Sequence, residues 1–131
     1  MYLIDTNVWL ERLLDQEASK EVADFLERFT SDQFIITDFS LHSIGVICNR
    51  LHKEKQFLRF IEDILIQGEI ILGSLAPVEM ERVVAVIKKY KLDFDDAYQY
   101  VAAEKYSALL VSFDSDFDKT ELGKKKPAEL L

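Results

Sequence analysis

Residues that break, cross-link or loosen a chain are scarce here: 131 residues include one cysteine, two prolines and four glycines. A lone cysteine excludes an internal disulfide, and Cys48 falls inside a helical apolar pattern, where it reads as a small buried hydrophobe. With so little Pro and Gly, a long linker or a low-complexity tract is excluded, and no internal repeat is present. Basic residues are also in deficit, 16 Lys and Arg against 24 Asp and Glu, for a net charge of −8. Such a balance disfavours nucleic-acid binding by bulk charge, which draws its affinity from Lys and Arg displacing counterions, unless bound dications neutralise the acids locally. The bases gather in Arg50–Lys55 with Arg59, in Lys88–Lys91 and in Lys124–Lys126, runs that read as solvated helix faces or a frayed tail. No apolar stretch is long enough to cross a bilayer, and no basic segment precedes an apolar run at the start. A soluble, cytoplasmic protein with no membrane contact is expected.

What is abundant is core material. Nine Phe, five Tyr and an apolar fraction of 49% suffice for one core, and residues 1–131 are expected to form a single domain. Tyr2-Leu3-Ile4 is a β-type run, after which Thr6 and Asn7 offer N-cap chemistry to a helix carrying Val8, Trp9, Leu13 and Leu14. Val22, Phe25, Leu26 and Phe29 recur at helical spacing, and Phe34 to Thr37 forms a second strand. Leu41, Ile44, Cys48 and Leu51 mark a third helix, and Phe57, Phe60, Ile61, Ile64 and Leu65 a fourth, stopped by Gly68. Ile70-Ile71-Leu72 predicts a strand; Pro77 opens a helix with the stripe Met80, Val83, Val84 and Ile87. Asp93 is a candidate N-cap for a helix whose small buried face is Ala97, Val101 and Ala102. Ala108 to Ser112 predicts a further strand, and Ala128 to Leu131 a short last one. Strands alternating with helices imply an α/β fold with a mainly parallel sheet covered on both faces.

Three acids sit where these elements change. Asp5 ends the first strand, Asp96 lies in the first turn of a helix, and Asp114, followed by Asp116, trails the strand ending at Ser112. Each taken singly is an ordinary turn or helix-dipole residue. Together they occupy strand-end positions that share one crevice in a parallel sheet, where remote carboxylates converge into a site for a hard dication such as Mg2+ or Mn2+.

Leu3-Ile4-Asp5-Thr6-Asn7, Leu92-Asp93-Phe94-Asp95-Asp96-Ala97 and Leu110 to Phe117, in this order along the whole chain, resemble the motifs of PIN domains, the nuclease fold of VapC-type toxins. The resemblance implies a three-layer α/β/α sandwich around a mainly parallel sheet of about four to five strands. It implies metal-dependent hydrolysis of RNA, leaving 5′-phosphate and 3′-hydroxyl ends, with Asp5, Asp96, Asp114 and Asp116 as catalytic metal ligands. Asn7 and Ser112 would support them. It further implies a homodimer and an antitoxin protein whose tail enters the acidic groove. The helix pair from Leu51 to Leu65 offers a surface for either partner, although core packing accounts for the same apolar stripe.

One position departs from the family pattern. A Glu is expected a turn into the helix after the second strand, and Ser43 stands there, a neutral and poor ligand for a hard dication. Asp38 and His42 are the substitutes within reach in sequence, Asp38 reading first as a helix cap and His42 as a packing or surface residue. The departure supports an alternative reading, a catalytically weak PIN-like module that binds protein or RNA. A phosphoaspartate domain is disfavoured, because Asp5-Thr6-Asn7 lacks a second Asp and Ile70 to Gly73 lacks a phosphoacceptor.

Overall fold

The computed structural model describes residues 1–131. Its core is a parallel sheet of β1 (Tyr2–Ile4), β2 (Phe34–Thr37), β3 (Ile71–Gly73) and β4 (Leu109–Val111), in the order β3-β2-β1-β4. The helices are α1 (Thr6–Leu13), α2 (Ser19–Arg28), α3 (Asp38–Arg50), α4 (Glu54–Ile61), α5 (Met80–Tyr90) and α6 (Phe94–Lys105). None is long and apolar enough to cross a membrane.

Successive side chains along a strand point to opposite faces, and the sheet uses this to build two cores. Leu3, Ile35 and Leu110 face α5 and α6, whose Val83, Val86, Ala97, Val101 and Ala102 are small enough to bring the helices close. Ile4, Phe34, Ile36 and Val111 face α1 to α4 and meet Trp9, Phe25, Ile44 and Cys48. Aromatic edges fill that second layer: Tyr2 meets Phe25 edge-on at 5.7 Å and Trp9 meets Phe60 at 5.5 Å. The predicted α/β/α sandwich is therefore present, with a mainly parallel sheet of four strands.

Several local expectations are corrected. Ala128–Leu131 is not a strand; Pro127, which has no N–H for a ladder, opens a 3-10 turn over Pro127–Leu130. The chain touches the β4 edge only at Lys125, whose N–H donates to Leu110 O at 2.9 Å and whose carbonyl accepts from Ser112 N at 3.0 Å. On α5 the buried stripe runs through Val86, while Val84 faces solvent. Leu51 lies beyond α3 and is exposed. Thr37, not Asp38, caps α3, accepting from Ser40 N at 3.0 Å. Likewise Asp5, not Thr6 or Asn7, caps α1, and Asp93 sits at the start of α6 without a side-chain capping bond. After α4 the backbone widens into a π turn over Glu62–Ile66, and Gly68 follows it where a Cβ would meet the Ile64 carbonyl oxygen at 2.5 Å.

Topology places the site. From β1 the chain steps outward through β2 to β3, then returns across β1 to lay down β4 on its other side. The reversal opens a crevice beyond the carboxyl ends of β1 and β4, the place where open α/β sheets put their ligands.

Candidate active site

Asp5 follows β1 directly, and its backbone N–H makes one more rung with Val111 O at 2.9 Å. Its carboxylate is nearly buried and held by three donors. Oδ1 accepts from Thr6 N at 2.8 Å and from Gln99 Nε2 at 3.1 Å, and Oδ2 accepts from Ser112 Oγ at 2.7 Å. An ionised carboxylate has about four acceptor positions, so one further contact is left. Burial pushes the Asp5 pKa up, the bonds from Ser112, Gln99 and Thr6 pull it partly back, and repulsion from Asp114 adds to the rise.

Ser112, the residue after β4, ties the two strand ends together. Its hydroxyl donates to Asp5 and accepts from Asp114 N at 3.0 Å and Asn7 Nδ2 at 3.3 Å, while Asn7 Oδ1 accepts from Phe113 N at 3.3 Å. Asp114 then caps the 3-10 turn Ser115–Lys119 by accepting from Asp116 N at 2.8 Å. The resemblance implies supporting roles for Asn7 and Ser112; in the structure Ser112 bonds Asp5 directly, and Asn7 bonds Ser112.

The acids at the mouth converge. Asp96, in the first turn of α6, Asp114 and Asp116 each offer a carboxylate oxygen within 4.8 Å of the others. Asp5 stands outside that trio but lines the same cleft, of about 310 Å³, with Asp95, Asp96, Asp114 and Ser43. Burial, and then repulsion from Asp114, Asp5, Asp95 and Asp116, pushes the Asp96 carboxyl up to about 7. An all-oxygen donor set with repelling charges fits a hard dication that keeps part of its water shell.

Ser43 faces this cleft from α3, as its position in the motif requires. Neither substitute reaches it. Asp38 accepts from the Tyr98 hydroxyl at 2.8 Å and from Phe39 N at 2.8 Å, and His42 is exposed, lining the groove between α3 and α4. No Lys, Arg or His lines the acidic cleft.

Gln99 escapes the sequence reading. It is buried; its Oε1 accepts from Thr37 Oγ1 at 2.6 Å, which fixes the amide so that Nε2 donates to Asp5 and to Ser40 Oγ at 2.8 Å. Ser40 Oγ lies 2.8 Å from Thr6 Oγ1, closing a belt from the end of β2 to the end of β1. The signal was available: Gln99 is one helical turn from Asp96, the sole amide on the buried face of α6. Asp95 also lines the cleft and stands in the same motif as Asp96.

A family model described as the PIN domain matches residues 2–122. Among solved structures, a toxin–antitoxin complex from Klebsiella pneumoniae is 20% identical with a TM-score of 0.77, covering 97% of this chain and 98% of that one. FitAcB from Neisseria gonorrhoeae is 20% identical at a TM-score of 0.75, with 97% and 98% covered. The Mycobacterium tuberculosis toxin VapC20, which cleaves the sarcin-ricin loop, is 13% identical at 0.79, with 92% and 95% covered. No curated protein matches.

Proposed function

The chain belongs to the PIN domain family, and from that membership we propose that it is a Mg2+- or Mn2+-dependent endoribonuclease acting in the cytoplasm as the toxin of a toxin–antitoxin pair. One observation carries the reading: acids from three separate segments meet in a single cleft, Asp96, Asp114 and Asp116 as a trio with Asp5 beside them. The similar solved structures described as a toxin–antitoxin complex and as a loop-cleaving toxin support it.

In this reading Asp96, Asp114 and Asp116 would hold the ion, with Asp5 beside them in the same cleft. Bound there, a hard dication would supply activation of a water for attack on a phosphodiester and positive charge against the departing 3′ oxygen. Ser112 keeps Asp5 and Asp114 in fixed relation, and Gln99 holds Asp5 ready in one rotamer. Because the cleft walls carry no cation, the substrate phosphate is not gripped by side-chain charge there. The proposed partners are RNA, a second copy of the chain and an antitoxin, for which the apolar groove of Leu41, Val46, Phe57, Leu58 and Ile61 between α3 and α4 is the proposed seat.

A second reading, a PIN-like binding module with weak catalysis, rests on Ser43 and on Asp38 and His42 lying outside the cleft. Incubating the purified protein with structured RNAs under Mg2+, Mn2+ or EDTA separates the two. The nuclease reading expects cleavage with 5′-phosphate ends that chelation, Asp5→Asn and Asp96→Asn each remove; RNA or protein binding without cleavage in either metal selects the module.

A further inference from the structure

We propose that Phe94 and Phe39 form a stacking shelf for an unpaired nucleobase of the RNA, beside the acidic cleft; the inference rests on the ribonuclease reading above. Among the nine phenylalanines Phe94 alone is exposed, at 47%, although it occupies the first position of α6 within two residues of Asp96. Its ring leans over Tyr98 at 6.2 Å with a 39° tilt, and Tyr98 leans over Phe39 at 5.6 Å with a 34° tilt. Phe39 in turn lines the cleft with Asp95 and Asp96. A stepped row of three rings thus leads from the acids to the outer surface.

The row is held rigidly. Tyr98 donates its hydroxyl proton to Asp38 Oδ1 at 2.8 Å and accepts from Leu75 N at 3.0 Å, so the middle ring is pinned by β3's exit and by α3. Helical geometry puts Phe94 and Tyr98 on one face of α6 with Asp95 and Gln99 beside it, and Phe39 carries the row back to the cleft that Asp95 and Asp96 line. A nucleotide whose phosphate lies at the trio would meet the row at Phe39, the ring that shares the cleft with Asp96 and Asp114.

Charge selects the occupant. The cleft has acids and no cation, so it offers the sugar–phosphate backbone nothing but bound metal, and a base, neutral and planar, is the part of RNA an acidic rim does not repel. Asp38, Asp93 and Asp95 flank the aromatic row, and a protein surface docking there would have to strip water from them. A base needs only a ring face, and stacking on an aromatic side chain tolerates any base. Duplex RNA keeps its bases stacked and hidden, so the shelf favours loops and single strands.

The test measures binding in an Asp114→Asn background, in which turnover falls about 10²–10³-fold, using a short single-stranded RNA carrying 2-aminopurine and the same sequence as a duplex. Expected are fluorescence quenching with the single strand only, an affinity loss of roughly tenfold for Phe94→Ala, recovery in Phe94→Trp and none in Phe94→Leu. Equal binding by Phe94→Leu and wild type would overturn the shelf in favour of plain apolar docking. So would an unchanged affinity in Phe94→Ala, or a shift of that variant from dimer to monomer in sedimentation, which would place the ring against a second copy. Failure of the otherwise unaltered protein to cleave or bind any RNA in Mn2+ overturns the parent reading, and the shelf with it; cleavage that Phe94→Ala leaves untouched overturns the shelf alone.

Discussion

The inner and outer halves of the acidic cleft are built on opposite principles. Inside, Asp5 is enclosed by donors from Thr6, Gln99 and Ser112, each anchored to the end of a strand or the body of α6, and these three bonds fix its position. Outside, Asp96, Asp114 and Asp116 lie within 4.8 Å of one another with no cation among the cleft residues, and repulsion helps raise Asp96 to about 7. The inner half is pre-organised by hydrogen bonds; the outer half stores electrostatic stress that a dication, on the proposed reading, would relieve. On that reading the site would keep its shape without the ion and gain stability with it.

The largest effect expected comes from the outer half. Asp114→Asn or Asp96→Asn should lower RNA cleavage by about 10²–10³-fold, the loss usual when one electrostatic contact to a developing charge is removed. Relief of repulsion should at the same time leave the metal-free fold as stable or more so, by thermal denaturation in EDTA. Variants that lose activity by unfolding instead would break the comparison.

Gln99→Leu should do the reverse. Removing the amide takes one hydrogen-bond partner each from Thr37, Ser40 and Asp5, at a cost of about 1–3 kcal/mol for the buried bonds lost. Activity should fall about 10–100-fold, as when a group supporting a ligand is lost. A variant of wild-type stability in urea titration would show that the belt is not what holds Asp5.

Next in size is the pH response of the metal-free protein. The folded-state pKa of Asp96 lies at about 7 against an ordinary 3.8, and Asp5 moves the same way. A group raised in the folded state supports folding fully below its unfolded value and loses that support as pH climbs through the folded value. The melting temperature in EDTA should therefore decline by a few degrees between about pH 4 and 7 and level off above. Asp96→Asn should flatten the slope, and Mn2+ should lift the high-pH end. A melting temperature in EDTA that rises over this range would contradict the stressed outer half.

The outer acids were legible in the sequence because each stands at a strand end or a first turn, positions that topology alone brings together. The alternation of strands with helices likewise announced a sheet covered on both faces, and Leu3 and Ile4 face its opposite cores. The inner belt was not legible. Gln99, Ser40 and Thr37 carry no charge and sit in apolar runs, and only the packing of α6 across β1 and β2 aligns their hydrogen bonds. Capping residues misled for a related reason: Thr37 and Asp38 both suit the start of α3, and the Tyr98 hydroxyl, distant in sequence, draws Asp38 away. The last strand failed because Pro127 removes a ladder donor where an apolar tail alone suggested an edge.

Ser43 gives the smallest effect and sharpens the comparison most. It lies in the cleft beside the outer acids, where the family pattern carries Glu. Ser43→Glu adds a carboxylate to the stressed half and leaves the inner belt alone, since Ser43 bonds to none of its members. In EDTA the added repulsion should lower the melting temperature by a degree or two. With Mn2+ the same carboxylate becomes an extra donor, and metal affinity by calorimetry should rise a few-fold up to about tenfold, with cleavage rising at limiting metal. Lower metal affinity in Ser43→Glu would mean that α3 holds this position away from the ion, and that the cleft is complete with the acids of the first strand end, α6 and the β4 turn.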